Sequence, residues 1–545
     1  MMATTLNIAL LLSAFSSSDY SVQREEQQEK PNILFIAVDD LKPILGCYGA
    51  PLIKTPNIDR LATLGTVFQN TYCQQAISGA TRASVLTGLR PDKTQVYDLI
   101  TKIRDINPNV VTLPGYFKDK GYVTTAIGKI FHPTNVIKED GEYSWSIPHT
   151  EAEECLAEAY GYPALGYYQH PDTKLLVEKY GMEAKKKGLK DAEAARYILS
   201  HIKPSVECLD VPDNAYVDGA VTLKAKQQLQ TLTKKGKPFF LAVGYHKPHL
   251  PFVAPKKYWD LYDRKSMPIA EFQAHAKGSP ELAYHRCGEL KKYTDIPEFC
   301  TFTDQSLHTG LALEKQKELI HGYYACISYL DTQVGELLDT LDSLGTLHNT
   351  IIVLWGDHGW HLGDHDLWNK HTNFENATKV PLIIAAPGMS SGNADTFAEF
   401  VDIYPTLCDL AGIGIPSDID GKSLVPAMEN KKSRIRNYAV SQYPRKFTKE
   451  EADRRGYTST TIMGYSLRTE GYRYTVWTHD FTTRQSFNDG KIYAEELYDY
   501  QKDPLETINV VTDKEYLKIK EKLKDMMMDF FSKQMDNCLL YTSPS

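Results

Sequence analysis

None of the chain's nine cysteines forms a CxxC pair or stands at zinc-ligand spacing, which argues against a thiolate-bound structural zinc. The odd count leaves at least one thiol unpaired, and one or two disulfides would suit an exported protein. There is no surplus of positive charge. Lys and Arg number 61 against 69 Asp and Glu, a net charge of −8, so bulk charge draws in neither nucleic acid nor acidic polymers. An anionic substrate would have to be met by a local basic pocket. No apolar run reaches membrane-spanning length: residues 6–15 suit the apolar core of a signal peptide but are too short to cross a bilayer. Low-complexity tracts and internal repeats are also missing.

What remains is a soluble-type composition spread over 545 residues, too long for one ordinary core. The organisation expected is a signal peptide over 1–18, a polar linker over 19–30, a main domain over 31–430, a smaller α+β subdomain over 431–537, and a non-native tail over 538–545. The leader lacks Lys and Arg before its apolar run and has no clean Ala-x-Ala site, yet its length points to export, with a periplasmic or secreted location. Tyrosine is frequent, with 34 copies, which suits surfaces that stack on sugar rings.

Residues 31–40 form a continuous apolar run ending in Asp39 and Asp40, the pattern of a strand buried on both faces with polar chemistry at its carboxyl end. Similar runs recur at 122–128, 238–244, 350–356 and 380–386. Helical stretches lie between them at 218–235 and 313–344, and Thr55 and Pro56 open a further helix as cap and first residue. Strands alternating with helices imply an α/β fold with a large, mostly parallel sheet, functional groups gathering beyond the carboxyl ends of its strands. Two long irregular intervals, 133–212 and 253–305, read as insertions that wall a pocket. Past 433, strands over 461–467 and 472–477 make a short antiparallel sheet, followed by a helix with Tyr516, Ile519, Leu523, Met527 and Phe530 on one stripe.

The chemistry-bearing residues cluster by type. Ser78 stands where a helix can open, with its positive dipole end beside it, and Arg82 lies one turn on. Asp39 and Asp40 end the first strand and Asp357 and His358 end the fourth, so three carboxylates and an imidazole converge. Such a set calls for a cation, and a hard divalent ion, calcium or magnesium, fits carboxylate ligands best. Taken singly, Lys129 and His132 read as a surface pair, His246 and His249 as residues capping a loop, and Trp360, Trp368 and His371 as core or rim residues, the rim being favoured.

Taken together they resemble a known family. Ser78-Gly79-Ala80-Thr81-Arg82 with Leu86-Thr87-Gly88 is similar to the type I sulfatase signature, in which the first residue is oxidised to formylglycine. Asp39-Asp40, residues 128–132 and Asp357-His358-Gly359 follow in the family's order, and the likeness runs from about residue 31 to 510. Residues 244–252, 357–370, 441–445 and 463–468 look like the iduronate-2-sulfatase branch. The resemblance implies an alkaline-phosphatase-like sandwich with a C-terminal α+β subdomain. It implies Ca²⁺ held by Asp39, Asp40, Asp357 and His358, with the modified Ser78 completing the shell. Arg82 would hold the formylglycine hydrate, with Lys129 and His132 flanking it and His132 as the base. His246 and Lys370 would bind sulfate and stabilise or protonate the departing alkoxide.

Two departures shape the expectation. Serine replaces the cysteine of the animal enzymes of that branch, and Ala80 stands where proline is usual. The serine form resembles bacterial sulfatases matured by a radical-SAM enzyme, which becomes an expected partner. The substrate implied is a sulfated carbohydrate, with removal of a uronic acid 2-O-sulfate foremost. A phosphonate or phosphate monoester hydrolase on the same scaffold is one alternative, and an unmodified, non-catalytic carbohydrate-binding protein is the other.

Overall fold

The computed structural model describes residues 30–539 except 157–160, 286, 298–309 and 480–491. The expected signal peptide, all but the last residue of the linker, and residues 540–545 lie outside the described residues. In chain order the strands are β1 (Asn32–Val38), β2 (Thr66–Tyr72), β3 (Val123–Gly128), β4 (Val206–Leu209), β5 (Phe239–Tyr245), β6 (Phe252–Pro255), β7 (Thr350–Gly356), β8 (Leu382–Ala385) and β9 (Gly392–Glu399). Four more follow: β10 (Tyr438–Lys446), β11 (Thr461–Thr469), β12 (Tyr472–Thr478) and β13 (Ile492–Asp499). The helices that matter here are α1 (Ser78–Thr87), α2 (Val217–Lys234), α3 (Leu313–Ser343), α4 (Ile403–Leu410) and α5 (Leu517–Leu539).

Seven strands make the main sheet in the order β3-β5-β1-β7-β8-β2-β9. Neighbours are parallel except β8, which runs against both β7 and β2. Every residue of β1 is buried, and its side chains alternate between two cores. Leu34, Ile36 and Val38 face one that includes Leu229 of α2 and Leu330 of α3; Ile33, Phe35 and Ala37 face another that includes Val85 of α1 and Leu407 of α4. That period of two under a covering of helices on both faces is why the run reads as unbroken apolar sequence. β2 and β9 were not foreseen, because polar, partly exposed positions in β2 and polar, exposed ones in β9 break the apolar run. The insertion at 133–212 is less irregular than expected and carries helices Pro171–Lys186 and Asp191–His201. Thr55 does precede the helix Pro56–Leu64 but does not cap it; its hydroxyl instead accepts from the Gly46 amide at 2.9 Å.

The C-terminal strands form an antiparallel sheet in the order β10-β11-β12-β13. Tyr516, Leu523, Met527 and Phe530 pack on it with Ile519 at the edge of the cluster, and α5 runs two residues into the segment set aside as a tail. This sheet is bolted to the main one. The Gln442 amide donates to Gln74 O at 2.7 Å and the Ser441 hydroxyl to Cys73 O at 2.6 Å, so β10 holds the segment leading into α1. Cys47, Cys73, Cys155, Cys208, Cys287, Cys326 and Cys408 are unbridged, and among the described residues no helix is long and apolar enough to cross a membrane.

Arg473 of β12 and Glu506 are each 2 % exposed and paired at 2.5 Å, and Arg473 also donates to Asn373 O at 2.8 Å. The pair therefore ties the C-terminal sheet to the loop beyond β7. Arg473→Ala strands a buried carboxylate and should cost about 3–5 kcal/mol in denaturant unfolding; a loss under about 1 kcal/mol would show that the pair does not hold the two sheets together.

Candidate active site

Four adjacent parallel strands deliver their first loop residues to one edge of the sheet. Lys129 follows β3, His246 follows β5, Asp39 and Asp40 follow β1, and Asp357 and His358 follow β7. This is the crevice beyond the carboxyl ends where an α/β sheet gathers its ligands. Asp40 takes a left-handed backbone, φ 57°, which turns the chain sharply at the end of β1. Its amide donates to Asp357 Oδ1 at 3.0 Å. The close approach of β5 to the segment carrying Lys129 requires Gly244, since a Cβ there would lie 2.0 Å from Lys129 O.

Ser78 is the first residue of α1, a helix buried at every position. Gly79 is required behind it, because a Cβ would sit 2.3 Å from Asn135 Oδ1 and 2.4 Å from Asp98 O. The Ser78 hydroxyl donates to Asp39 Oδ1 at 3.0 Å and lies 3.0 Å from His358 Nε2. Arg82 does not reach back to Ser78 as its spacing suggests. Its Nε donates to Asp357 Oδ2 at 3.0 Å and its Nη1 to Lys129 O and Ile130 O at 2.7 and 2.9 Å, while buried Nη2 is left without a hydrogen bond.

Each carboxylate thus has its own cation: Asp357 has Arg82, Asp39 has the Lys129 ammonium, and Asp40 has Lys370 at 3.1 Å. Burial works to raise Asp39, but Lys129, with His249, Arg82 and Lys370, holds it well below the ordinary carboxylate range. Asp40 is different: burial outweighs Lys370 and pushes it up to about 7. Burial works against the charge on Lys370 too, but Asp40 and Glu289 overcome it and raise its pKa. His132 is lowered to about 3, by burial first and then by Lys129, so its ring is neutral and able to accept a proton; its Nδ1 lies 2.9 Å from Thr134 Oγ1. His246 sits on a turn whose two amides, at 246 and 247, donate to Asp218 at 2.9 and 2.8 Å. Its Nδ1 is buried without a hydrogen bond.

The donor set suits a hard cation. One ligand atom from each of Asp39, Asp40, Asp357 and His358 lies within 4.8 Å of the others, and all four residues are buried. Asp40 Oδ1 receives no hydrogen bond. Both His358 nitrogens meet the cluster: Nε2 lies 3.0 Å from the Ser78 hydroxyl, and Nδ1 lies 3.2 Å from both Gly359 O and Asp40 Oδ1.

Residues read as rim lie deeper than expected. Trp360 and Trp368 are each 1 % exposed, and Trp360 lies under the Lys370 ammonium at 4.9 Å. Sequence reading passed over Asp218 and Glu289. Asp218 opens a helix, where an acidic residue is ordinary, and Glu289 lies in an irregular stretch with no pattern. Beside Ile77 opens a cavity of about 360 Å³ lined by Tyr97, Tyr284, His285, Tyr443 and Arg445.

Because burial pushes Asp40 up to about 7, cation uptake should release a proton from it increasingly as pH falls through 7, and should weaken over the same range. Calorimetry of Ca²⁺ binding in buffers of different ionisation enthalpy measures both. Affinity that stays constant from pH 5.5 to 8 would remove Asp40 from the ligand set.

Residues 31–413 match the family model described as Sulfatase, and residues 363–533 match the one described as N-sulphoglucosamine sulphohydrolase, C-terminal. The chain is 34 % identical to iduronate 2-sulfatase of Mus musculus, over 94 % of this chain and 96 % of that one. It is 35 % identical to iduronate 2-sulfatase of Homo sapiens, over 88 % and 91 %. Among solved structures, the phosphonate monoester hydrolase of Agrobacterium radiobacter superposes with a TM-score of 0.65 at 22 % identity, over 92 % of this chain and 96 % of that one, a likeness of fold. With its site at the carboxyl edge of the sheet and its two matching segments, this chain belongs to the sulfatase family.

Proposed function

We propose that this sulfuric ester hydrolase acts on sulfated carbohydrates and removes a 2-O-sulfate from a terminal uronic acid, using an oxidised Ser78 and Ca²⁺. The observation that carries the reading is the Ser78 hydroxyl within 3.0 Å of both Asp39 and His358, inside a buried cluster of cation ligands. Similarity to iduronate 2-sulfatases over most of the chain supports the choice of sugar. The tyrosine-lined cavity beside Ile77 offers room for the adjoining sugar.

Asp39, Asp40, Asp357 and His358 would hold the cation. The chemistry supplied by a hard cation and an aldehyde hydrate at position 78, when present, is charge neutralisation on the sulfate oxygens and an attacking hydroxyl that a plain serine cannot regenerate. The chain's own residues divide the remaining work. Lys129 fixes Asp39, and Arg82 fixes Asp357 while its buried Nη2 keeps a free N–H donor. Neutral His132 takes up the proton when sulfate leaves. Lys370, a permanent ammonium, meets the charge that develops on the leaving oxygen, and His246 delivers the proton to it. The maturation partner is an enzyme of the radical-SAM type, and export to the periplasm or outside the cell fits the leader.

Peptide mass over residues 76–82 should show loss of two hydrogens at Ser78 in protein from its native source. Ser78→Ala should drop sulfate release to background while leaving the melting temperature within a few degrees. Unmodified protein without turnover would favour a carbohydrate-binding role instead. With modified protein, an aryl sulfate should turn over faster than the matching aryl phosphate; a dominant phosphatase rate would transfer the site to the monoester-hydrolase reading.

A further inference from the structure

Glu289 is the residue of this site that no sequence pattern announces. It lies in the second insertion, where His285, Cys287 and Glu289 each touch the loop carrying Lys370. The Trp368 amide donates to Cys287 Sγ at 3.3 Å, Asn369 Nδ2 lies 3.0 Å from His285 Nδ1, and Lys370 Nζ lies 2.9 Å from Glu289 Oε2. The other carboxylate oxygen, Oε1, is 3.0 Å from His249 Nε2.

His249 is itself anchored. Its Nδ1 is 2.6 Å from Leu250 O, and its backbone carbonyl accepts from Lys247 Nζ at 2.7 Å. The same ammonium donates to Pro251 O at 2.7 Å, and the Lys247 amide is fixed on Asp218. A chain of contacts therefore runs from the first turn of α2 through the 246–251 loop and Glu289 to Lys370. Asp40, His249 and Glu289 are also close enough to hold a metal ion, but the Lys370 ammonium already bridges the two carboxylates. Clamped between Asp40 and Glu289 above the Trp360 ring, Lys370 has little freedom left, which is the condition for a cation to stabilise charge without reorganising.

We infer that Glu289 is a positioning residue: it clamps the Lys370 ammonium where the leaving oxygen of the sulfate ester acquires its charge, with His249 as the anchor of the clamp. This rests on the sulfatase reading of the site and on Lys370 facing the leaving group. A loosened Lys370 should matter little when the leaving group is already stable as an anion and much when it is a poor one. Loss of fold or of cation binding would slow every ester alike.

The test compares the parent and Glu289→Gln, both shown by peptide mass to be modified at Ser78, on 4-nitrophenyl sulfate, phenyl sulfate and a uronic acid 2-O-sulfate. The expected kcat loss is about threefold for the nitrophenyl ester and about thirtyfold or more for the sugar ester, with KM changed less than about threefold. Lys370→Met should give the same trend, and the double variant should lose no more than about twofold beyond Lys370→Met alone. Should Glu289→Gln fail to fold, His249→Gln frees the same carboxylate from its other side and should show the trend at smaller amplitude. A uniform loss across the three esters, or losses that multiply in the double variant, would overturn the role of Glu289. A modified parent inert on all three would instead overturn the sulfatase reading, and this role with it.

Discussion

Three carboxylates held in a buried crevice are the constraint around which this molecule is arranged. Asp39, Asp40 and Asp357 are each no more than 1 % exposed, and leaving such charges unpaired in a protein interior costs several kcal/mol apiece. Each is answered by a cation from a different part of the chain: Lys129 from the end of β3, Lys370 from the loop after β7, and Arg82 from α1. The elements must therefore meet at this edge for the charges to balance. Ser78 is carried into the middle of the cluster by the same helix that supplies Arg82.

The outer parts of the fold serve that meeting point. The C-terminal sheet contributes no ligand to the carboxylate cluster, yet β10 holds the carbonyls of residues 73 and 74, just ahead of α1, through the Ser441 hydroxyl and the Gln442 amide. Arg473 reaches across to Asn373, close to Lys370 in sequence. The first insertion brings Tyr167 beneath the Lys247 ammonium at 5.2 Å, and the second brings Glu289 to Lys370 and His249. A small sheet and two insertions thus set the position of side chains supplied by the main sheet. The catalytic edge and its surroundings form one packed unit.

Much of this was legible before any coordinates. The unbroken apolar runs ending in Asp39-Asp40 and in Asp357-His358 mark β1 and β7, because a strand buried on both faces has no polar alternation to hide it. The Ser78–Arg82 spacing marks a helix start, and the family resemblance supplied the order of the motifs. Less legible were β2 and β9, whose half-exposed positions dilute the apolar signal. Thr55 looked like a cap but spends its hydroxyl on Gly46, since the better partner came from a loop that local sequence does not describe. Trp360 and Trp368 looked like rim residues because aromatic type alone does not report depth.

What the sequence determined by itself is the inventory and its placement along the chain: which residues carry charge, which end strands, and which open helices. Hydrophobic periodicity and helix-start chemistry are local, so those features survive without knowledge of neighbours. The tertiary structure alone decided the pairings. Arg82 turned from Ser78 to Asp357, Lys129 settled on Asp39, and Glu289 reached Lys370 across 81 positions in the chain. Such partners are chosen by distance and by the cost of a buried unpaired charge, and neither quantity exists until the sheet has assembled.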